Sequence, residues 1–210
     1  TKSKQPDLSE VHGPAPTNGA APDIEREVPY VVEFTIEGVC PILFHAWNNE
    51  AVAEKATAKK GSAAKKSDNV ESYVYRDAKN HICLPGIYVH SAMQYAAKFR
   101  QDPRSPRKSA FDLFKAAVSP LTELASLGSA KWDYLDSRRV TVQRSGITRQ
   151  RPAFNAGWKT TFQFIVNLPE YVSPVFFHDV LTLAGKVTGV GDFRPTYGRF
   201  HVTAFEVLDL

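Results

Sequence analysis

The chain has 210 residues, enough for one hydrophobic core with insertions. Its 43% hydrophobic and 23% charged residues are typical of a globular protein and exclude an intrinsically disordered one. The net charge is +4; residues 1–29 contribute −2, so the rest carries +6, which favours a polyanionic partner.

The first 29 residues are rich in proline, glycine and alanine and show no apolar periodicity, which predicts a flexible N-terminal arm. We expect residues 30–210 to form a single domain. Tyr30 to Gly38 alternates strictly, with Tyr30, Val32, Phe34 and Ile36 on one face, and predicts a half-buried strand.

Residues 50–69 contain many lysines and no acid between Lys55 and Lys66. We interpret this segment as a basic loop inserted after the first strand. It is either a solvated loop or frayed helix, or a mobile finger that closes over phosphates. In the second case its candidate nucleic-acid ligands are Lys59, Lys60, Lys65 and Lys66.

Pro85-Gly86 predicts the start of a helix that runs to residue 99. Ile87, Val89 and Phe99 are among its apolar residues, and His90 is assigned to its polar ones. A helical insertion is predicted over residues 100–137. It opens with a basic loop that holds Arg104 and Arg107.

The stretch from Arg138 to Arg151 contains five arginines and no acid, on strand-like sequence broken at Ser145-Gly146. Such a density of arginine favours phosphate binding. The arginines are Arg138, Arg139, Arg144, Arg149 and Arg151. Beyond it, residues 158–168 predict a strand, and Ser173-Pro174 predicts the start of the last helix. Residues 199–208 are apolar on both sides, as in a central strand.

A glycine-rich loop joins that helix to the final strand. Gly189, Gly191 and Gly198 can adopt φ > 0 and let another backbone approach closely. The same loop carries two arginines and two rings, which suit a phosphodiester chain with stacked bases: Phe193, Arg194, Tyr197 and Arg199. The alternative is a connector whose rings pack on the core.

With the insertions removed, the predicted order is β-α-β-β-α-β, with strands at 30–46, 139–153, 158–168 and 199–208 and helices at 86–99 and 174–187. This is the pattern of an α+β, ferredoxin-like (RRM-like) core with insertions after the first strand and the first helix. RNA-binding versions use the open sheet face and nearby loops.

Two motifs resemble the RAMP superfamily of CRISPR-associated proteins, in particular its backbone subunits. LPGIYVHSAMQYA at 84–96 is similar to the segment leading into that family's first helix, and GVGDFRPTYGRF at 189–200 resembles its glycine-rich loop. The two long insertions also resemble the family's finger-like additions. Gly198 stands alone where paired glycines are common, a departure that a divergent relative carried by a phage or mobile element would explain. The resemblance implies single-stranded RNA held along a row of identical subunits.

Three functions remain open at this point. The first is non-catalytic binding of single-stranded nucleic acid, RNA in preference to DNA, by a repeated subunit of a filament or ribonucleoprotein. The second is a metal-independent endoribonuclease with His45 or His90 as general base and Lys98 or Arg194 as cation. The third is a structural subunit that binds other proteins.

Other classes receive no support from the sequence. Cys40 and Cys83 lack metal-ligand spacing, so we expect no metal and a reducing, cytoplasmic compartment. There is no phosphate-binding Walker loop, nucleophile elbow or dinucleotide fingerprint, so no cofactor is expected. No apolar run approaches the length of a membrane span, and no membrane partner is expected.

Overall fold

The computed structural model describes residues 28–46, 57, 69–142 and 145–208, and within them the side chains of all but 140–147. These residues form twelve strands, three α-helices and two 3-10 turns, so the α+β class is confirmed. The strands are β1 (Tyr30–Gly38), β2 (Ile42–Leu43), β3 (Tyr75–Arg76), β4 (Ile82–Pro85), β5 (Gln101–Asp102), β6 (Ser105–Ser109), β7 (Val118–Pro120), β8 (Leu124–Ser126), β9 (Tyr134–Val142), β10 (Ser145–Phe154), β11 (Lys159–Val166) and β12 (Phe200–Leu208). The helices are α1 (Gly86–Ala96), α2 (Phe111–Ala117) and α3 (Pro174–Val187), and the 3-10 turns are Val70–Tyr73 and Ala97–Phe99.

The largest sheet has the order β12-β1-β11-β7, with every neighbouring pair antiparallel. Helices α1 and α3 pack against each other, and their buried side chains join those of the sheet in one core. In chain order, the elements of this unit are β1, α1, β7, β11, α3 and β12. The strands and helices of this unit therefore follow the order β-α-β-β-α-β.

The predicted second strand of this unit was wrong. Residues 139–153 belong to β9 and β10, which form a separate three-stranded sheet in the order β2-β10-β9. The place beside β11 is taken by β7, which is only three residues long and ends at Pro120. A strand that short has no detectable period, and proline is confined to sheet edges because it lacks an N–H donor.

Two further secondary-structure expectations need correction. The segment 100–137, predicted to be helical, holds only the helix α2 together with β5 to β8 and the start of β9. Strand β12 lies at an edge of its sheet rather than in the centre, and four of its residues are exposed: His201, Thr203, Ala204 and Glu206. The predicted arm at 1–29 and basic insertion at 50–69 lie almost wholly outside the described residues, and these boundaries stay predictions.

The alternation in β1 is confirmed. Tyr30, Val32, Phe34 and Ile36 are fully buried against the helices, whereas Glu33, Thr35 and Glu37 alternate with them toward the opposite face. Phe34 lies at the centre of the core, with ring centroids 5.8 Å from Phe162, 5.3 Å from Phe164 and 5.9 Å from Phe177. Aromatic pairs at these distances stabilise the fold beyond the area they bury.

The start of the last helix is also confirmed, because the Ser173 hydroxyl accepts a hydrogen bond from Phe176 N at 3.2 Å and Pro174 is the first helical residue. The faces of α1 were partly misassigned. His90 is buried at 7% exposure, whereas Ile87 and Phe99 are 53% and 60% exposed. Hydrophobicity alone cannot tell which apolar side chains of a short helix find a partner.

We expect Phe34→Ala to lower the free energy of unfolding by about 3–5 kcal/mol, because it leaves a cavity among three other rings. Thr35→Ala, on the opposite face of the same strand, serves as the control. It loses one exposed hydrogen bond to Thr161, and we expect a change of at most about 1 kcal/mol. Denaturant unfolding measures both. Equal losses of unfolding free energy for the two variants would contradict the assignment of Phe34 to the buried face of β1 and of Thr35 to its opposite face.

Candidate nucleic-acid interface

The glycine-rich loop between α3 and β12 is folded onto the protein itself. Val190 N donates to Gly198 O at 2.9 Å, Gly198 N to Pro41 O at 2.8 Å, and Asp192 N to Leu43 O at 2.9 Å. A Cβ on Gly198 would lie 1.6 Å from Val190 O, and one on Gly191 would lie 2.7 Å from Leu43 O. The close approach that these glycines permit is therefore to the chain's own backbone.

The loop meets the β9–β10 ribbon through two arginines. Arg151 donates Nε to Asp192 Oδ2 at 2.5 Å, and its guanidinium carbon lies 4.4 Å from the centre of the Phe193 ring. Arg138 donates to the Tyr197 hydroxyl, and its guanidinium carbon lies 4.6 Å from that ring. We call Arg138, Arg151, Asp192, Phe193 and Tyr197 the arginine–aromatic cluster.

This cluster brings together two stretches that the sequence singled out separately, but it uses them internally. The Arg151 side chain is only 8% exposed, so it has no surface for a phosphate. Arg138, at 37% exposure, also donates Nε to Asp136 Oδ2 at 2.7 Å. Arg151 therefore positions the glycine-rich loop, and only part of the Arg138 side chain is accessible to a ligand.

Arg149 lies directly opposite Arg138 in the ribbon and donates to the Tyr73 hydroxyl at 3.2 Å. The ring of Tyr73 packs edge-on against His45, with 4.4 Å between centroids. The exposed His45 therefore lies near the ribbon, as a candidate general base requires. His90 does not, because it is buried and its Nε2 lies 3.2 Å from Phe114 O. Burial lowers the pKa of His90, so it is neutral at pH 7.

An open cleft of about 660 Å³ lies between α1, the end of α3 and the glycine-rich loop. The exposed Arg194 lines it and makes no hydrogen bond or ion pair with a described residue. Tyr95 of α1, which is 49% exposed, contributes a ring. Ser91 contributes a hydroxyl. Thr188 also lines the cleft, but it is only 9% exposed and its Oγ1 is buried without a partner in the described part of the chain. A cation, a ring and a hydroxyl are the groups that contact phosphate, base and sugar.

Tyr88 supports the wall of this cleft on α1. Burial, followed by a 3.3 Å hydrogen bond with Tyr75, raises the pKa of the Tyr88 hydroxyl, whereas the charge of Arg194 opposes that shift. The phenol is therefore neutral at physiological pH.

Arg199 lies apart from the cleft, although only five residues separate it from Arg194. It is exposed at the start of β12, and its backbone N–H donates to Cys40 Sγ at 3.2 Å. Arg139 is exposed on the other face of the ribbon from Arg138. The sequence placed Arg194 and Arg199 in one loop and Arg138 and Arg139 in one basic stretch, but the structure puts the members of each pair on different surfaces.

Arg104 and Arg107 belong to the β5–β6 hairpin, which follows the C-terminal end of α1. Arg100, just before this hairpin, pairs with Asp179 of α3 at 2.5 Å, whereas the cleft borders Val187 at the end of α3. Eight helical residues span about 12 Å. Arg104 is also bound to Asp102 at 2.7 Å. The remaining predicted ligands, Lys59, Lys60, Lys65, Lys66 and Arg144, lie outside the described residues.

The open face of the large sheet presents no stacking platform in β1 and β11. Its side chains pair with one another: Thr35 with Thr161, Glu33 with Gln163, and Glu37 with Lys159, each at 2.8 Å. The Glu33 carboxylate accepts its hydrogen bond from a neutral amide, so its charge would repel a phosphate chain. This face thus lacks the exposed rings with which RRM domains bind RNA.

Sequence reasoning missed Tyr95, Ser91 and Thr188 as cleft residues. The available signal was the spacing of Tyr88, Ser91 and Tyr95, which places all three on one stripe of a helix. Thr188 carried no signal, because its role depends on how α3 ends beside the loop.

A solved structure shows a similar fold. A chain of the type III-B Cmr-β structure, determined by cryo-electron microscopy bound to cognate target RNA, matches with a TM-score of 0.52 and 11% identity over 87% of this chain. This protein spans 61% of the length of that chain. A chain of the Csm3–Csm4 subcomplex from a type III-A CRISPR-Cas interference complex matches at a TM-score of 0.35 and 14% identity, over 85% of this chain and 77% of that one.

No protein-family profile matches the sequence, and no curated protein matches it either. No helix in the described segments is long and apolar enough to cross a membrane. Within the same residues, no group of three or more histidines, cysteines and acids could hold a metal ion.

We expect Gly198→Ala to lower the free energy of unfolding by more than about 3 kcal/mol. The residue has φ +72°, and the new methyl group would collide with Val190 O, so strain and overlap add. Gly157→Ala is the matched control: its φ is +92°, but nothing lies within 4 Å of the new Cβ, so about 1–2 kcal/mol is expected. Thermal or denaturant unfolding measures both variants. Similar losses of unfolding free energy would show that the close contact between Gly198 and Val190 O does not stabilise the loop.

Asp192→Ala leaves the buried Arg151 guanidinium without its carboxylate. Breaking a fully buried pair costs about 3–5 kcal/mol, and because Asp192 is 34% exposed we expect about 2–3 kcal/mol. In the control Asp136→Ala, the unpaired Arg138 can be hydrated, and we expect at most about 1 kcal/mol. If both variants unfold at the same denaturant concentration, Arg151 is not the anchor of the loop.

Proposed function

We propose that this protein binds a single-stranded nucleic acid, RNA in preference to DNA, without cleaving it. The strand would pass through the cleft between α1 and the glycine-rich loop. One observation carries the proposal: Arg194, which has no hydrogen-bond or ion-pair partner among the described residues, lines the same cleft as the half-exposed ring of Tyr95. Such pairs of cation and ring bind single strands with little dependence on sequence.

The architecture supports the proposal. We infer that the β-α-β-β-α-β unit is a ferredoxin-like core and that the chain is a divergent relative of the RAMP superfamily. The order β12-β1-β11-β7 and the two packed helices fit that core. The fold also resembles a chain from a complex bound to its target RNA. The binding surface would be the cleft and the neighbouring loops, because the open sheet face is polar and self-paired.

We further propose that the protein acts as a subunit of a larger assembly and contacts copies of itself in a head-to-tail row. Long insertions and a proline-rich N-terminal arm are suited to such heterologous contacts. An assembly of this kind would align the clefts of successive copies along one strand.

Catalysis is the alternative that one specific observation favours. His45 is exposed and packs on Tyr73, whose hydroxyl accepts a hydrogen bond from Arg149, so a base and a cation lie around one ring. We nevertheless expect binding without cleavage. Incubation of a labelled RNA with the wild type and with His45→Ala tests this, and cleavage that depends on His45 would overturn the non-catalytic assignment.

The binding experiment uses Arg194→Ala and a 30-nucleotide single strand, as RNA and as DNA. A hydrogen bond to a charged group is worth roughly 1.5–3 kcal/mol, so we expect affinity to fall about tenfold or more. The slope of log affinity against log salt should become shallower by about 0.7. Because the side chain is exposed and unpaired, the melting temperature should not change.

Two controls sharpen this test. Lys115→Ala removes one exposed positive charge from α2 and should leave binding nearly unchanged. Tyr95→Phe keeps the ring and should bind normally, whereas Tyr95→Ala should lose about 1–3 kcal/mol of stacking. No binding by the wild type at low salt would refute the proposed function, and stronger binding of DNA than of RNA would refute the preference.

A further inference from the structure

A second, smaller pocket lies on the β12 side of α3, separate from the cleft. Its volume is about 250 Å³, and it is lined by Thr182, Gly185 and Lys186 of α3, by Val39, and by the start of β12. Drug-sized ligands occupy pockets of about 300–1,000 Å³, so this one suits a small chemical group.

Three basic side chains surround this pocket: Lys186, Arg199 and His201. All three are exposed, and none forms an ion pair with a described residue. Lys186 comes from the last turn of α3, whereas Arg199 and His201 come from β12 and the residue before it. Lys186 and Arg199 are cations that converge from two elements, and such an arrangement forms a site for an anion.

One residue that lines the pocket, Thr182, has a polar atom without a partner in the described part of the chain. Thr182 Oγ1 is buried and has no hydrogen-bond partner among the described residues. Buried polar groups are nearly always paired, and an unpaired one requires an explanation such as a ligand. His178 Nε2, one helical turn earlier, is likewise buried without a partner. Burial lowers the pKa of His178, so it adds no charge at pH 7.

The acids near the pocket are already neutralised by other residues. Glu37 lies opposite His201 in the sheet, but its carboxylate pairs with Lys159 at 2.8 Å. Asp179, on the same helix as Lys186, pairs with Arg100 at 2.5 Å. The positive charge of the pocket is therefore not cancelled by its neighbours.

We propose that this pocket binds a phosphate group. Lys186 and Arg199 supply the opposite charge, Thr182 donates its hydroxyl proton, and Val39 and Phe200 form the apolar wall. The phosphate belongs to the backbone of a bound nucleic acid or is free in solution; the chemistry of recognition is the same, and the experiment below separates the two sources. This site does not depend on the cleft.

Lys186 has a competing structural explanation. A lysine in the last turn of a helix interacts favourably with the negative end of the helix dipole. That role predicts a lower melting temperature for Lys186→Gln and no change in anion binding. Thr182→Val makes a sharper test, because removing an unpaired buried hydroxyl should leave stability unchanged or raise it.

The experiment measures the binding of inorganic phosphate by NMR titration and of the 30-nucleotide RNA by a salt series. We expect Thr182→Val and Lys186→Gln each to weaken phosphate binding about fivefold or more without lowering the melting temperature. Lys131→Gln, an exposed charge outside the pocket, is the control and should bind phosphate like the wild type.

The two ligands separate the outcomes. If both variants weaken RNA and phosphate binding, the site holds a phosphate of the nucleic-acid chain. If only phosphate binding weakens, the site holds a free anion. Normal binding of both ligands by both variants, or a loss of stability alone, would overturn the proposal. Arg194→Ala should leave phosphate binding unchanged, so a failure of the cleft is distinguishable from a failure of this pocket.

Discussion

The backbone of residues 41–43 is hydrogen-bonded on two sides, and the arrangement of the molecule depends on it. On one side, Ile42 and Leu43 pair with β10 of the ribbon. On the other, Pro41 O and Leu43 O accept hydrogen bonds from Gly198 N and Asp192 N of the glycine-rich loop. A short segment thus joins the ribbon sheet to the loop that enters β12 of the large sheet. A side chain at Gly191 would collide with Leu43 O, and one at Gly198 would collide with Val190 O inside the loop, which is why the loop needs glycine at both positions.

These hydrogen bonds between residues 41–43 and the glycine-rich loop also determine which arginines can bind a ligand. With the loop held against the ribbon, Arg151 is enclosed between Asp192 and the Phe193 ring, and Arg138 contacts Tyr197. Their charges stabilise the junction instead of facing solvent. Arg194 and Arg199 are exposed and keep no ion pair within the described residues. The arginines of the two basic stretches are therefore divided into structural arginines and accessible ones.

The sequence predicted those features that local chemistry determines. The alternation of Tyr30 to Ile36 and the cap at Ser173 follow from burial and from unpaired N–H groups, and both were predicted correctly. The position of β7 could not be predicted, because three residues that include Pro120 carry no periodic signal.

The internal use of Arg151 was unpredictable for a different reason. Its partner, Asp192, is 41 residues away in the chain, and nothing in the arginine-rich stretch indicates it. Tyr95 was missed although its helical spacing with Ser91 was visible, because a ring on a helix belongs to the core more often than to a ligand site.

The separation of Arg194 and Arg199 bears on how one strand could use both pockets. Five residues extend at most about 18 Å, so the two guanidiniums lie within reach of a short nucleic-acid segment. Single-strand-binding domains of other folds contact about 4–16 nucleotides, which is ample for two such positions. The end of α3, with Lys186 on one side and Thr188 on the other, would then form a ridge between the two phosphate positions. A strand that crossed this ridge would be held by its backbone on both sides, and the identity of its bases would contribute little to affinity.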